Sequence, residues 1–430
     1  MAHHHVAVMA DGHQGYGVPI GAVVALDGAL SPYAVGNDIG CGMAVVPTSL
    51  STSELLSPVP TRSGAPGAVA RDDIMGWIQS TIPSGNEAHR DPPRDEVVAE
   101  LLVGAYDAME EASRSTGLPL STSQSTRADA GRPLPRDAFV ERGLAQAGTL
   151  GSGNHFIELL AGPDEEVWVM LHSGSRGVGS AICNNFHRMA LAHCEERGHH
   201  LPDVGLAWLP RSGHEHGDRW EEVGHCYERA MTAGLLYAER NRQRMLEHVG
   251  DIVERRFPGS MRWDGIVNIH HNDATLEHHF GRDVWVHRKG AVKAAEGTDT
   301  ITPGSMGSAT YLGVGLGNPD SFESCSHGAG RIRSRGRARA ELSLDKELAL
   351  ITAAGGKVFA GSRAAVLDEM PGAYKDVDEV MASQSDLVRP VRRLTPLGTY
   401  KGTEHRAKRP KSGKRGQGPE ASTWRPTEER

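Results

Sequence analysis

Three times along this chain a histidine stands at the end of an apolar run or directly after a glycine turn, with Gly, Asn or Ser beside it rather than a helical face. In Gly151-Ser152-Gly153-Asn154-His155-Phe156-Ile157-Glu158 the imidazole follows a glycine turn. His172 closes the run Val167-Trp168-Val169-Met170-Leu171, and His270-His271-Asn272 closes Gly265 to Ile269. Short apolar runs bounded in this way read as strands. The pattern therefore constrains the fold to one in which strand or loop edges can bring imidazoles together. With 22 histidines in the chain, this placement favours ligands and catalysis over core filling. A hydrogen-bonded histidine is the alternative for each taken singly, and it weakens when the arrangement recurs.

Asn37-Asp38-Ile39-Gly40-Cys41-Gly42-Met43 sets a carboxylate and a thiol in a turn whose glycines allow both to bend toward one point. Carboxylate, thiolate and imidazole form a mixed donor set that Mn²⁺, Fe²⁺, Co²⁺ or Zn²⁺ accepts. An Asx-turn and a buried thiol is the alternative. Asp38, Cys41 and three histidines suffice for two metals sharing a bridging thiolate, and such a pair clamps phosphoryl oxygens, so hydrolysis, phosphoryl transfer or nucleotidyl transfer lead. Ser173-Gly174-Ser175-Arg176-Gly177 suits an anion. In Ser326-His327-Gly328-Ala329-Gly330-Arg331 a neutral imidazole can attack phosphorus while the glycines let amides approach phosphate oxygens; a further metal ligand or a general base also fits. Pro303 to Ser308 is a second small-residue loop, and no GxxxxGK[ST] occurs.

The 430 residues, 38% hydrophobic, can bury a large core as one big domain or two ordinary ones. A net charge of -8 confines any nucleic-acid surface to a local basic patch. Five cysteines without a CxxC pair predict reduced thiols and a cytoplasmic protein, and no run is long enough to span a membrane. Strands are expected at Val6 to Met9, Gly17 to Ala25, Val35 to Val46, Glu166 to Leu171, Gly265 to Ile269 and Asp283 to Val286, with no helix in the first 50 residues. Helices are expected at Asp95 to Ser115, Ala181 to Arg197, Glu221 to His248 and Asp376 to Val388; residues 51–93 and 119–135 read as loops. Irregular interleaving without a βαβ repeat predicts an α+β fold on antiparallel or mixed sheet. The Lys/Arg/Gly/Pro-rich stretch from about Thr403 predicts a disordered basic tail, with an RNA-tethering arm as the functional alternative.

Together these motifs resemble the RtcB family of RNA-splicing ligases. The matching stretches are Val6 to Gly17, Ala34 to Met43, Gly148 to Leu159, His172 to Gly179, His271-Asn272, Asp283 to Ala291, Pro303 to Gly307, Ser326 to Arg331, Ala373 to Val380 and Tyr400-Lys401-Gly402, in order. The resemblance implies a single large RtcB-like domain over residues 1–402, with central β-sheets surrounded by helices, followed by the 403–430 tail. It implies a ligase dependent on GTP and two Mn²⁺, joining RNA 2′,3′-cyclic phosphate or 3′-phosphate ends to 5′-hydroxyl ends through a guanylylated histidine and an RNA-3′-pp-G intermediate. Carried over by motif, the metal ligands are Asp38, Cys41, His155, His172 and His271, and His327 takes GMP. The nucleotide is assigned to Asn154, Glu158, Asn272, Ser305, Thr310 (usually Ser in the family), Gly328, Ala329, Gly330 and Lys401. Arg142 and Arg176 are the candidates for RNA or triphosphate phosphates.

A monomer, working with RNA and in some settings an accessory activator protein, is expected. The chain departs from the family in starting almost at its first motif, in Asn37 where Val is usual, and in RIRSR (Arg331 to Arg335) where RxMSR is common. A divergent branch with a repair role or changed substrate is one expectation from these departures. The competing readings are a binuclear metallophosphoesterase and an inactive RNA-binding homologue.

Overall fold

A computed structural model of the chain describes residues 2–59, 68–92, 94–122, 132–212, 218–362 and 364–402. The expected basic tail lies outside the described residues, as does the middle of the loop expected at 119–135. The architecture is α+β. Its centre is a sheet in the order Asp299–Pro303, Thr310–Gly315, Val388–Lys401, Phe156–Ala161, Glu166–Ser173, Gly42–Ser51, Val267–His270. All these pairs are antiparallel, and Val358–Phe359 adds a short parallel neighbour to Val388–Lys401. The two edge strands, Asp299–Pro303 and Val267–His270, meet, so the sheet curls nearly into a barrel.

Strand periodicity sorts its side chains into two cores. Met43, Val45, Leu160, Trp168, Met170, Ile301 and Leu394 pack together on one face. Ala44, Val46, Ile157, Leu159, Val167, Val169 and Leu171 pack on the other, against Ile74 and Ile78 of the helix Ala70–Thr81 and Met245, Val249 and Val253 of the helix Arg219–Glu254. Both faces being covered explains why Val167 to Leu171 is apolar throughout instead of alternating. A second sheet, Ala2–His13, Ile20–Leu26, Arg282–Lys289, Asn272–His279, lies to one side. The helices Glu96–Thr116, Arg176–Glu196 and Arg219–Glu254 bury a third core that includes Leu102, Met109, Phe186, Trp220 and Tyr227.

Several expected elements shift. The helix expected at Asp95 to Ser115 runs Glu96–Thr116, with Asp95 as N-cap accepting from Val98 N and Gly117 closing it at φ 73°. The strand expected at Val35 to Val46 begins at Gly42, because residues 36–41 make the ligand turn, and a one-turn helix, Pro32–Val35, precedes it. Proline presets that turn, yet four residues are too few to show a period. Residues 51–93 contain the helix Ala70–Thr81; its apolar face is short and surrounded by Ser, Thr and Pro, and packing on the barrel stabilises it. Arg136–Gln146 is also helical. The helix expected at Asp376 to Val388 ends at Ala382, and Val388 starts a strand that tolerates Pro390 opposite Gly313 at a register shift. Among the described residues no helix is long and apolar enough to cross a membrane.

Asn241 joins helix to barrel. Its Oδ1 accepts from the N–H groups of Gly148 (2.7 Å) and Thr149 (3.2 Å), and its Nδ2 donates to Thr149 O, Ser173 Oγ and Gly174 O at 3.3, 3.1 and 3.0 Å. Asn241→Ala strands several buried backbone groups and is expected to cost about 2–4 kcal/mol in urea unfolding; a loss below about 1 kcal/mol contradicts this joint.

Candidate functional site

Register brings the site together. Gly42 pairs with both Ser173 and His270, Met43 with His172, and Phe156 with His172. Cys41, His155, His172 and His271 consequently stand at the same end of four neighbouring strands. Cys41, His172 and His271 also continue the alternation of Met43 and Val45, of Trp168 and Met170, and of Val267 and Ile269, so they cap the inner face of the barrel. The strands approach so closely that a Cβ at Gly42 would lie 2.0 Å from the Ile269 carbonyl oxygen.

Cys41 Sγ lies 3.4 Å from His155 Nε2 and 3.3 Å from His172 Nε2. His155 Nε2 is 3.0 Å from Asp38 Oδ2, and His172 Nε2 is 3.0 Å from His271 Nε2. Two triads result, Asp38/Cys41/His155 and Cys41/His172/His271, each with donor atoms within 4.8 Å of one another and both containing the sulfur. The supporting contacts aim the donors: Leu150 O takes His155 Nδ1 at 2.8 Å, while Ser175 N donates to Asp38 Oδ1 at 2.9 Å and leaves Oδ2 facing His155. Beneath the turn, buried Arg242 donates to Gly40 O (2.6 Å), Ser173 O (3.1 Å) and Asn268 Oδ1 (2.7 Å).

Burial, and then the neighbouring imidazoles, pushes His172 and His271 well below the ordinary histidine range, so both are neutral and have lone pairs to give. Burial alone would raise Asp38, but the His155 contact, Cys41 and Arg176 outweigh it and hold the carboxyl at about 2. Burial and the Asp38 charge push the Cys41 thiol well up. A thiol this hard to ionise becomes a thiolate when a cation replaces the proton. Oxygen, nitrogen and sulfur donors in two triads sharing one sulfur fit a pair of borderline transition ions.

A cavity of about 1030 Å³ opens beside this cluster, lined among others by Asn154, Glu158, His172, Ser305, Thr310, His327, Gly328, Ala329, Gly330 and Lys401. His327 faces it with its ring 4.7 Å from that of His271. Asp11, fully buried, stands behind: its Oδ2 accepts from His327 N (3.2 Å) and lies 2.6 Å from Nδ1, an ion-pair distance out of line for a hydrogen bond. Lys375 Nζ fixes the Asp11 strand through Ala10 O and Gly12 O. Gly330, at φ 73°, passes so near that a Cβ would lie 2.1 Å from Asp11 O.

At the far wall, Glu158 accepts from the Thr399 hydroxyl at 2.5 Å, and burial raises its carboxyl to about 7 against the pull of Thr399 and Lys401. Glu369 is the organising carboxylate that sequence patterns missed. Its Oε1 lies 3.2 Å from Arg331 Nη1 and 3.0 Å from Arg335 Nη2, and its Oε2 accepts from Tyr374 OH (2.5 Å) and Lys401 Nζ (3.1 Å). Burial opposes its charge, yet Lys401, Arg335 and Arg331 hold it at about 2. Asp11 lies in the matching stretch Val6 to Gly17 but its residue type alone does not single it out, and no motif marks Arg242 or Glu369; Asp11 and Arg242 act through residues hundreds of positions away, Glu369 through residues tens of positions away.

Of the residues assigned from sequence to nucleotide or phosphates, three lie apart from the cavity lining. Asn272 stands under the ligand turn, donating to Asp38 O (3.0 Å) and accepting from Gly290 N (2.8 Å). Arg176 donates to Thr149 Oγ1 (3.1 Å) and Gly85 O (2.7 Å) behind the cluster, with Arg142 nearby beside Gly177.

Comparison with known proteins places this geometry. Residues 1–402 match the profile of the family described as "tRNA-splicing ligase RtcB". The chain is 37% identical to the RNA-splicing ligase RtcB of Escherichia coli K12, over 93% of this chain and 90% of that protein. It is 35% identical to the RNA-splicing ligase RtcB of Mycobacterium tuberculosis (92% and 96% covered) and 31% identical to the tRNA-splicing ligase RtcB of Methanococcus maripaludis (92% and 87%).

Two outcomes follow from the site. With Co²⁺, the protein should take up two ions per chain and show a thiolate-to-metal absorption band; Cys41→Ser should lose the band and weaken both ions, whereas two tightly held ions in the variant contradict a shared sulfur. Glu158 is protonated in the folded chain up to about pH 7, but ionises from about 4.5 once unfolded, so its burial costs stability progressively between those values and fully above them. Glu158→Gln should therefore raise the unfolding free energy by up to about 3 kcal/mol at pH 8, with the gain vanishing toward pH 4.5; a pH-independent difference excludes this origin.

Proposed function

This chain belongs to the RtcB family, and from that premise we propose that it is a GTP-dependent RNA ligase that joins RNA 3′-phosphate or 2′,3′-cyclic phosphate ends to 5′-hydroxyl ends through guanylylated His327. The observation that carries the reading is the setting of His327: an imidazole at the cavity wall, backed at Nδ1 by Asp11, beside His271 and followed by Gly328-Ala329-Gly330. Asp11 Oδ2, 2.6 Å from Nδ1, sets a carboxylate behind the ring, and the reaction uses the Nε2 lone pair on the cavity side.

In the proposed sequence, His327 Nε2 attacks the α-phosphorus of GTP, forming a P–N bond as pyrophosphate leaves. An oxygen of the RNA 3′-phosphate then attacks the same phosphorus, breaking the P–N bond and giving RNA-3′-pp-G. The 5′-hydroxyl attacks the RNA phosphate and GMP leaves, its proton passing to solvent or a nearby base. A cyclic phosphate is first opened by water. Asp38, Cys41 and His155 would hold one Mn²⁺ and Cys41, His172 and His271 the other. Bound there, the cations polarise phosphoryl oxygens and offset their charge.

The chain's own residues do the rest. Glu158, when ionised, can accept from the guanine N–H groups, and Lys401 can donate to its acceptor atoms. Asn154, Ser305, Thr310 and the Gly328-Ala329-Gly330 amides suit the ribose and phosphates, and Asn272 acts from beneath by fixing the ligand turn. Glu369 orients Arg331, Arg335 and Lys401 around the same space. Arg176, a candidate for phosphates in the sequence, serves in this reading as cationic backing for Asp38, with Arg142 beside Arg176.

Incubation with Mn²⁺ and α-labelled GTP should label the protein covalently, with a bond that is lost in acid and survives alkali as a phosphoramidate does. His327→Ala should take no label and ligate RNA at less than about one-thousandth of the wild-type rate. Phosphate release from RNA ends without nucleotide, and no label under any divalent metal, would instead identify a metallophosphoesterase.

A further inference from the structure

The cavity of about 1030 Å³ is lined by more residues than those assigned to GTP. Most residues assigned to GTP are in its lining. The lining also contains Tyr16, Ile332, Arg333 and Arg337, and their chemistry differs.

Tyr16 is 82% exposed, an uncommon state for an aromatic ring, and Ile332 is 53% exposed. The Tyr16 backbone is nevertheless fixed, with its carbonyl accepting from buried Lys289 Nζ at 2.5 Å. A rigid backbone thus presents a free aromatic face at the cavity mouth. Arg333 and Arg337 converge on one carboxylate, with Glu341 accepting from their Nε atoms at 3.0 and 2.9 Å, and Arg333 also donates to Gly372 O. Each guanidinium has five N–H donors, so these contacts leave several unspent, and the trio retains positive charge. Exposed ion pairs of this kind add little stability. Arg333 stands where the family's common RxMSR has methionine, and the patch is basic in a chain of net charge -8.

An aromatic platform and paired cations lining one cavity are the composition that binds single-stranded nucleic acid, the ring stacking a base and the cations meeting its backbone. We propose that Tyr16, Arg333 and Arg337 form the subsite for a single-stranded RNA 3′ end, with a base near the terminus stacked on Tyr16 and the adjoining backbone phosphate held by the two arginines. The proposal rests on the RNA-ligase reading and refines it: the ligase engages an unpaired end, and a terminal base inside a duplex cannot reach the ring.

The test uses the full chain with Mn²⁺, GTP and 3′-phosphorylated oligoribonucleotides, comparing wild type with Arg333→Met/Arg337→Gln, Tyr16→Ala and Tyr16→Phe. The double variant should raise the KM for RNA about tenfold or more and flatten the slope of log KM against log salt by about 0.7 per arginine. Tyr16→Ala should raise that KM about tenfold, with Tyr16→Phe within about twofold of wild type, as stacking requires. The KM for GTP in His327 labelling should move less than the KM for RNA in every variant. Equal rises in both constants, or wild-type KM and salt slope for RNA, overturn the subsite. A wild type that ligates no RNA overturns the ligase reading and the subsite with it; a ligating wild type with unaffected variants overturns the subsite alone.

Discussion

The sulfur of Cys41, within 3.4 Å of two imidazole nitrogens, is the point on which the molecule's organisation depends. Both triads contain it, so neither can be assembled unless the turn at residues 36–41, the start of Phe156–Ala161 and the ends of Glu166–Ser173 and Val267–His270 are correct together. Antiparallel register enforces this. A slip of one residue in any strand would turn its apolar set to the opposite face and its histidine away from the cluster. The cores on both faces of the barrel therefore protect the donor geometry as well as the fold.

Electrostatics around that point follow one plan. The inner imidazoles are neutral by burial, while the carboxylates are charged because each has cationic or polar partners. Glu158 is the exception, poised at about 7 with Thr399 and Lys401 only partly offsetting its burial. Such a group costs stability in the folded protein as it ionises. Glu369 links the two ends of the cavity, holding Lys401 with one oxygen and the arginines with the other. The long helix Arg219–Glu254 supports the whole from outside: Asn241 ties the loops before His155 and after His172, and its neighbour Arg242 ties the ligand turn.

Much of this was legible in the chain. Apolar runs ending in histidine marked Glu166–Ser173 and Val267–His270, because a short apolar run and its polar terminus are local properties. Glycine around Asp38 and Cys41 marked a turn for the same reason. Helix Glu96–Thr116 announced itself through its period, and the structure makes Asp95 its N-cap. Ala70–Thr81 did not, since its stability comes from a barrel surface made by residues far along the chain. The helix expected through Val388 failed similarly: residues 388–394 pair with Thr310–Gly315, and pairing overrides local propensity.

By itself, the sequence determined the candidate donor types, the turn that holds two of them, the histidine in its glycine loop and the family to which these belong. These are short-range facts, set by residue chemistry and by which backbone angles glycine allows. Tertiary structure decided which donors come together in each triad, that Asp11 stands behind His327, that Glu369 gathers three cations, and that Asn272 and Arg176 lie beneath the cluster instead of lining the cavity. Each of those joins residues tens to hundreds of positions apart. Only barrel closure and strand register set such distances, and neither is written in any one segment of the chain.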